Sequence, residues 1–62
     1  MKYSELKRHL SDEGCFVVRQ GGNHEIWYSP KTGRSFPLCR HNTAEVYVVT
    51  LKKIINQSGI NL

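Results

Sequence analysis

CFVVRQGGNHEIWYSPKTGRSFPL, residues 15–38, is the stretch that decides the fold of this chain. Cys15 to Gln20 combines β-branched and aromatic residues that suit a pleated surface, and it runs into Gly21-Gly22-Asn23, a tight-turn signal. Asn23 to Ser29 reads as a second strand. Pro30-Lys31-Thr32-Gly33 is a second turn, in which proline fixes one backbone dihedral and glycine supplies a positive one, and Arg34 to Leu38 is a third strand. Connections this short make successive strands antiparallel neighbours. The stretch is therefore a three-stranded meander.

Each flank of the meander predicts a helix. On the N-terminal side Tyr3, Leu6 and Leu10 form one apolar stripe, Ser4 is a suitable N-cap, and Glu5 suits the positive end of a helix dipole. Gly14 is the expected stop, with Leu10 and Cys15 placed for the hydrophobic contact of a Schellman turn. On the C-terminal side Thr50 can cap a helix whose Leu51, Ile54 and Ile55 share a face, with Gly59 as its stop and Ile55 to Ile60 repeating the contact. The start of this helix stays open. Val46-Tyr47-Val48-Val49 reads as strand by composition, while Asn42 with Glu45 three residues later has the form of a capping box.

A three-stranded sheet needs one face covered, and the two terminal helices are the only cover available. The expectation is one α+β domain over residues 1–62, in two layers: a three-stranded antiparallel sheet with both helices on one face, in the order α-β-β-β-α. Its predicted core is Phe16, Val18, Ile26, Phe36, Leu51, Ile54 and Ile55, with Leu6 and Leu10 from the first helix. Strand alternation puts His24, Ile26 and Tyr28 on one face and Glu25, Trp27 and Ser29 on the other. Both faces carry an aromatic ring, so the pattern leaves open which of them meets solvent.

With 62 residues, 39% hydrophobic, the chain buries only about 60% of the surface its unfolded form exposes. That excludes a doubly wound nucleotide-binding sheet or a deep cofactor cavity, so chemistry has to run at a surface. Nine Lys+Arg against five Asp+Glu give a net charge of +4, which favours a polyanionic or acidic partner. No apolar run approaches the roughly 20 residues of a membrane span, and Met1 to Leu10 is charged and amphipathic. The expected location is the cytoplasm, without a membrane partner. Two cysteines, Cys15 and Cys39, are too few for a secreted disulfide scaffold and are expected as reduced thiols.

Among residues able to carry chemistry, His24 is the most informative. It opens a strand directly after a flexible Gly-Gly-Asn turn, where a backbone can approach a ligand closely. An imidazole can take a proton from one oxygen and return it to another, which is what cleavage of RNA by its own 2′-hydroxyl requires, with no metal. Arg19, Lys31, Arg34 and Arg40 are candidate phosphate contacts, with Gly22 and Asn23 lining the approach. The plain alternative is a histidine that merely fills a half-buried surface position. His41 could contact substrate, assist His24 or cap its loop. Trp27 and Tyr28 invite base stacking by whichever of them is not core. Lys52 and Lys53 suit the start of a helix poorly, which a binding surface would tolerate and a solvated face would explain equally. A zinc site is not expected, because Cys39-Arg40-His41 is too tightly spaced and has no second pair of ligands. No cofactor is expected, since no phosphate-cradling loop or paired-histidine metal motif is present.

The order of motifs across the chain resembles the HicA toxins, also called the YcfA-like family. The residues that carry it are Glu13-Gly14-Cys15-Phe16, then Gly21-Gly22-Asn23-His24-Glu25-Ile26-Trp27, then His41 and Glu45, then Thr50 through Ile60. The resemblance implies a fold like that of a double-stranded-RNA-binding domain. It further implies a metal-independent ribonuclease that cleaves messenger RNA, stops translation, and is silenced by a cognate HicB antitoxin. Its catalytic histidine corresponds to His24. Two departures stand out: Asn23 occupies a position that is usually serine, and Cys39-Arg40-His41 replaces a Pro-x-His, with the proline earlier at Pro37. A non-catalytic RNA- or DNA-binding module of the same fold is the alternative.

Overall fold

The computed structural model describes residues 1–62 and contains α1 (Tyr3–Asp12), β1 (Phe16–Gln20), β2 (His24–Ser29), β3 (Arg34–Cys39) and α2 (Val48–Ser58). The strands form one antiparallel sheet in the order β1-β2-β3. This is the predicted α-β-β-β-α arrangement. Both helices bury their apolar residues on the face of the sheet that carries Trp27, Phe36 and Leu38.

The end of α1 follows its sequence closely. Gly14 takes φ +94°, Gly14 N–H bonds to Ser11 O (3.0 Å) and Cys15 N–H bonds to Leu10 O (2.9 Å), the two bonds of a Schellman turn, with Leu10 and Cys15 both buried. Its beginning does not. The N-cap is Lys2 and not Ser4, because the free N–H groups of Tyr3 and Ser4 are taken by the carbonyls of Ala44 and Asn42, each at 3.0 Å. Glu5 still reaches back, accepting from Lys2 N–H at 3.1 Å. A loop some forty residues away thus does the capping, and a local motif search has no access to it.

The second helix starts at Val48 after Tyr47, earlier than a Thr50 cap and later than an Asn42 box. Lys52 and Lys53 therefore lie in its second turn, where the dipole hardly opposes them. Gly59 ends it at φ +71°, as expected, but Ile60 N–H bonds to Ser58 Oγ (3.2 Å) and not to the Ile55 carbonyl of a Schellman turn. A Cβ at Gly59 would lie 2.8 Å from Thr32 Cγ2. Gly59→Ala combines that clash with a left-handed backbone, so it is expected to cost about 1–2 kcal/mol. Urea unfolding of the variant measures this.

The core differs from the predicted one. It is built from Tyr3, Leu6, Leu10, Cys15, Trp27, Phe36, Leu38, Val46, Ile54 and Ile60. Phe16 and Val18 are 49% and 51% exposed, and Ile26, Leu51 and Ile55 are only half-buried. The face of β2 that turns to the helices carries Trp27 and Ser29, leaving Ile26 and Tyr28 on the open side, where Tyr28 packs against Phe16 with ring centroids 5.6 Å apart. A β-bulge between Val17 and Arg19 leaves Val18 without a partner and sets Arg19 opposite Ile26. Both thiols are free, Cys15 in the core and Cys39 half-buried.

Polar groups beneath the sheet are paired. Ser29 Oγ donates to Ser58 O at 2.6 Å, tying β2 to the end of α2. Glu25 Oε1 accepts from Trp27 Nε1 and Lys7 Nζ, both at 3.0 Å, and Lys7 also donates to Asn42 Oδ1. These partners, Trp27 foremost, hold the Glu25 carboxyl below its ordinary value of 4.5. A depressed pKa contributes stability that is present above 4.5 and lost as pH falls through the folded-state value. Glu25→Gln is expected to be less stable at neutral pH and to lose less stability on acidification, as read by thermal unfolding across that range.

Candidate functional site

The one cleft of the molecule opens beside His24, between the β3 edge and α2, with a volume of about 310 Å³. Its sheet side is formed by His24, Pro37 and Cys39, and its helix side by Tyr3, Thr50, Lys53, Ile54 and Gln57. His24 is exposed at the first position of β2, directly paired with Cys39 across the strands. Turn chemistry brings it there, since Gly21 N–H closes back on His24 O at 2.8 Å and keeps the bend tight.

No carboxylate lines the cleft. Lys53 takes part in none of the three ion pairs, which join Glu45 to the N-terminus and Lys2, and Glu25 to Lys7. Its ammonium is available to an anion. The Tyr3 phenol is pushed up from 10.0, chiefly by burial and then by Cys39 and Tyr47, so it stays protonated at neutral pH and can donate.

The other residues singled out from sequence are spread more widely. Arg40 donates from Nη1 to the carbonyls of Gly21 (3.1 Å) and Gly22 (2.9 Å), and its own N–H reaches Asn23 O at 3.3 Å. It clamps the turn before His24 while its remaining guanidinium donors stay available. Gly22 and Asn23 are exposed in that turn. Arg19 lies on the open face beside Ile26. Lys31 and Arg34 sit at the opposite end of the β2–β3 hairpin, about 17 Å from His24 at strand spacing. His41 is exposed outside the cleft, its N–H on Cys39 Sγ (3.4 Å) and its carbonyl accepting from Ala44 N–H (3.1 Å), so its backbone closes the loop after β3. No three His, Cys, Asp or Glu side chains come together as a metal-binding group.

The helix side of the cleft is what reading the sequence missed. The sequence marks Thr50 as a cap and Tyr3 as part of the apolar stripe of the first helix, while Gln57 has no signal of its own beyond lying in the Thr50–Ile60 stretch. Lys53 is marked only as a poor fit to its helix. Facing α2 toward the β3 edge is a tertiary event that neither element encodes alone.

The molecule is thus a basic α-β-β-β-α domain with an exposed histidine at a carboxylate-free cleft. The family model described as the HicA toxin of bacterial toxin-antitoxin matches residues 3–60, and the chain belongs to this family. It is accordingly the toxin of a toxin-antitoxin pair. No curated protein and no solved structure matches it. No helix is long and apolar enough to cross a membrane.

Proposed function

We propose that the chain is an endoribonuclease that cleaves messenger RNA in the cytoplasm, without a metal, and is neutralised by a HicB-type antitoxin. The observation that supports this best is an exposed His24 at the mouth of a cleft that holds an unpaired ammonium and no carboxylate. Neutral His24 takes the proton of an RNA 2′-hydroxyl as that oxygen attacks the adjacent phosphorus. The bond between phosphorus and the 5′-oxygen breaks, the 5′-oxygen takes up a proton from water at the open mouth, and the His24 imidazolium returns its proton to the hydroxide left behind. The products are a 2′,3′-cyclic phosphate and a 5′-hydroxyl. Lys53 beside the phosphate offsets the charge that develops on its oxygens.

Arg19, Lys31 and Arg34 serve flanking phosphates, Gly22 and Asn23 border the scissile one, and His41 lies next to this path. Arg40 keeps the bend in place while its free donors face the strand. The antitoxin covers the same surface with acidic groups, so added salt weakens the pair mainly by slowing association.

Purified, EDTA-treated protein incubated with single-stranded RNA tests the reading. Fragments ending in cyclic phosphate are expected. Binding with a steep salt dependence and no fragments would replace it with the non-catalytic module.

A further inference from the structure

We infer that the cleft between β3 and α2 is a nucleotide subsite in which Lys53 holds a phosphate and Gln57 with Thr50 reads the base. The inference rests on the ribonuclease reading for its substrate class, and it adds the part of the molecule that gives the cut its sequence preference. Size comes first. A cleft of about 310 Å³ lies at the small end of ligand pockets, so it takes one nucleotide unit of a single strand and excludes a duplex.

Its chemistry is divided as a nucleotide is divided. Exposed Pro37 offers apolar surface for the plane of a base, with the buried Ile54 side chain forming the floor behind it. The Gln57 amide carries both donor and acceptor, and the Thr50 hydroxyl adds another of each, which is the equipment needed for a base edge. Neither side chain is engaged inside the protein. The hydrogen bond that Gln57 does make uses its backbone carbonyl, which accepts from Thr32 Oγ1 at 2.7 Å. Lys53 lies one helical turn from both Thr50 and Gln57, so its ammonium can meet a phosphate while they meet the base. The subsite adjoins His24, which fixes the base it reads as an immediate neighbour of the bond that is cut.

The test uses the intact protein, a single-stranded RNA with mixed sequence, and a 2′-O-methyl copy of that RNA, which cannot be cut by its own 2′-oxygen. Backbone resonances of Thr50, Lys53, Ile54 and Gln57 are expected to shift on adding the 2′-O-methyl strand. Lys53→Ala is expected to lower the slope of log affinity against log salt by about 0.7, the loss of one phosphate contact on a single strand. Gln57→Leu is expected to flatten the base preference at one position beside the cut by about fivefold or more.

If RNA is cleaved while only Arg19, Ile26 and Tyr28 respond to the strand, and both variants behave as wild type, the subsite is wrong and the nuclease reading stands. If the cleft resonances shift but no RNA is ever cut, the nuclease reading fails and the subsite survives as a binding site. Absence of both binding and cleavage removes the two together.

Discussion

His24→Ala is expected to yield a folded protein that still binds RNA and cuts it at least 100-fold more slowly, within the roughly 100- to 10,000-fold range of general acid–base assistance. The ring is exposed and belongs to no buried network, so its removal is a surface change worth no more than about 0.5 kcal/mol of stability. The proposed phosphate contacts are elsewhere, on Lys53 and the arginines. Affinity for the 2′-O-methyl strand is therefore expected to change little. Two measurements check this, the cleavage rate at saturating RNA and the thermal midpoint. An undiminished rate in a folded variant would remove His24 from the chemistry, and a rate loss matched by a lowered midpoint would mean that the change acts through the fold.

Phe36→Ala is expected to unfold most of the protein. Phe36 is 1% exposed and belongs to the core cluster that joins both helices to the sheet. Truncating a buried phenylalanine costs about 3–5 kcal/mol in lost burial and residual cavity. The single core of a domain this short rarely supplies more than about 3–5 kcal/mol in total. The matching control is Phe16→Ala on the open face of the same sheet, whose ring keeps half its surface in water and so contributes far less. Circular dichroism on heating separates the two. Equal losses from both variants would mean that the sheet is covered on both faces.

Where the fold was legible in advance, a local chemical signal carried it. The glycine and proline turns gave the strand order, and Gly14 with Leu10 and Cys15 gave the end of α1 down to its hydrogen bonds. Where it was not, the cause was distant. The start of α1 depends on carbonyls of Asn42 and Ala44, beyond the whole sheet. The covered face of β2 could not be chosen, because Trp27 and Tyr28 balance each other, and the choice made Phe16, Val18 and Ile26 peripheral while Leu38, Val46 and Ile60 became core. Of the residues that line the cleft, His24 is marked in the sequence by its turn. Its neighbours across the cleft are not marked as a group, since Thr50, Lys53 and Gln57 acquire meaning only when α2 is set against the β3 edge.

The clamp made by Arg40 bears on Asn23, the residue before His24. Arg40 grips the bend through three main-chain oxygens, those of Gly21, Gly22 and Asn23, and through none of their side chains. The bend's shape is thus inherited from the far end of β3 and is indifferent to the side chain at position 23. Replacing Asn23 by serine is therefore expected to leave the imidazole where it is, since the contacts that set the bend use none of the side chain at position 23.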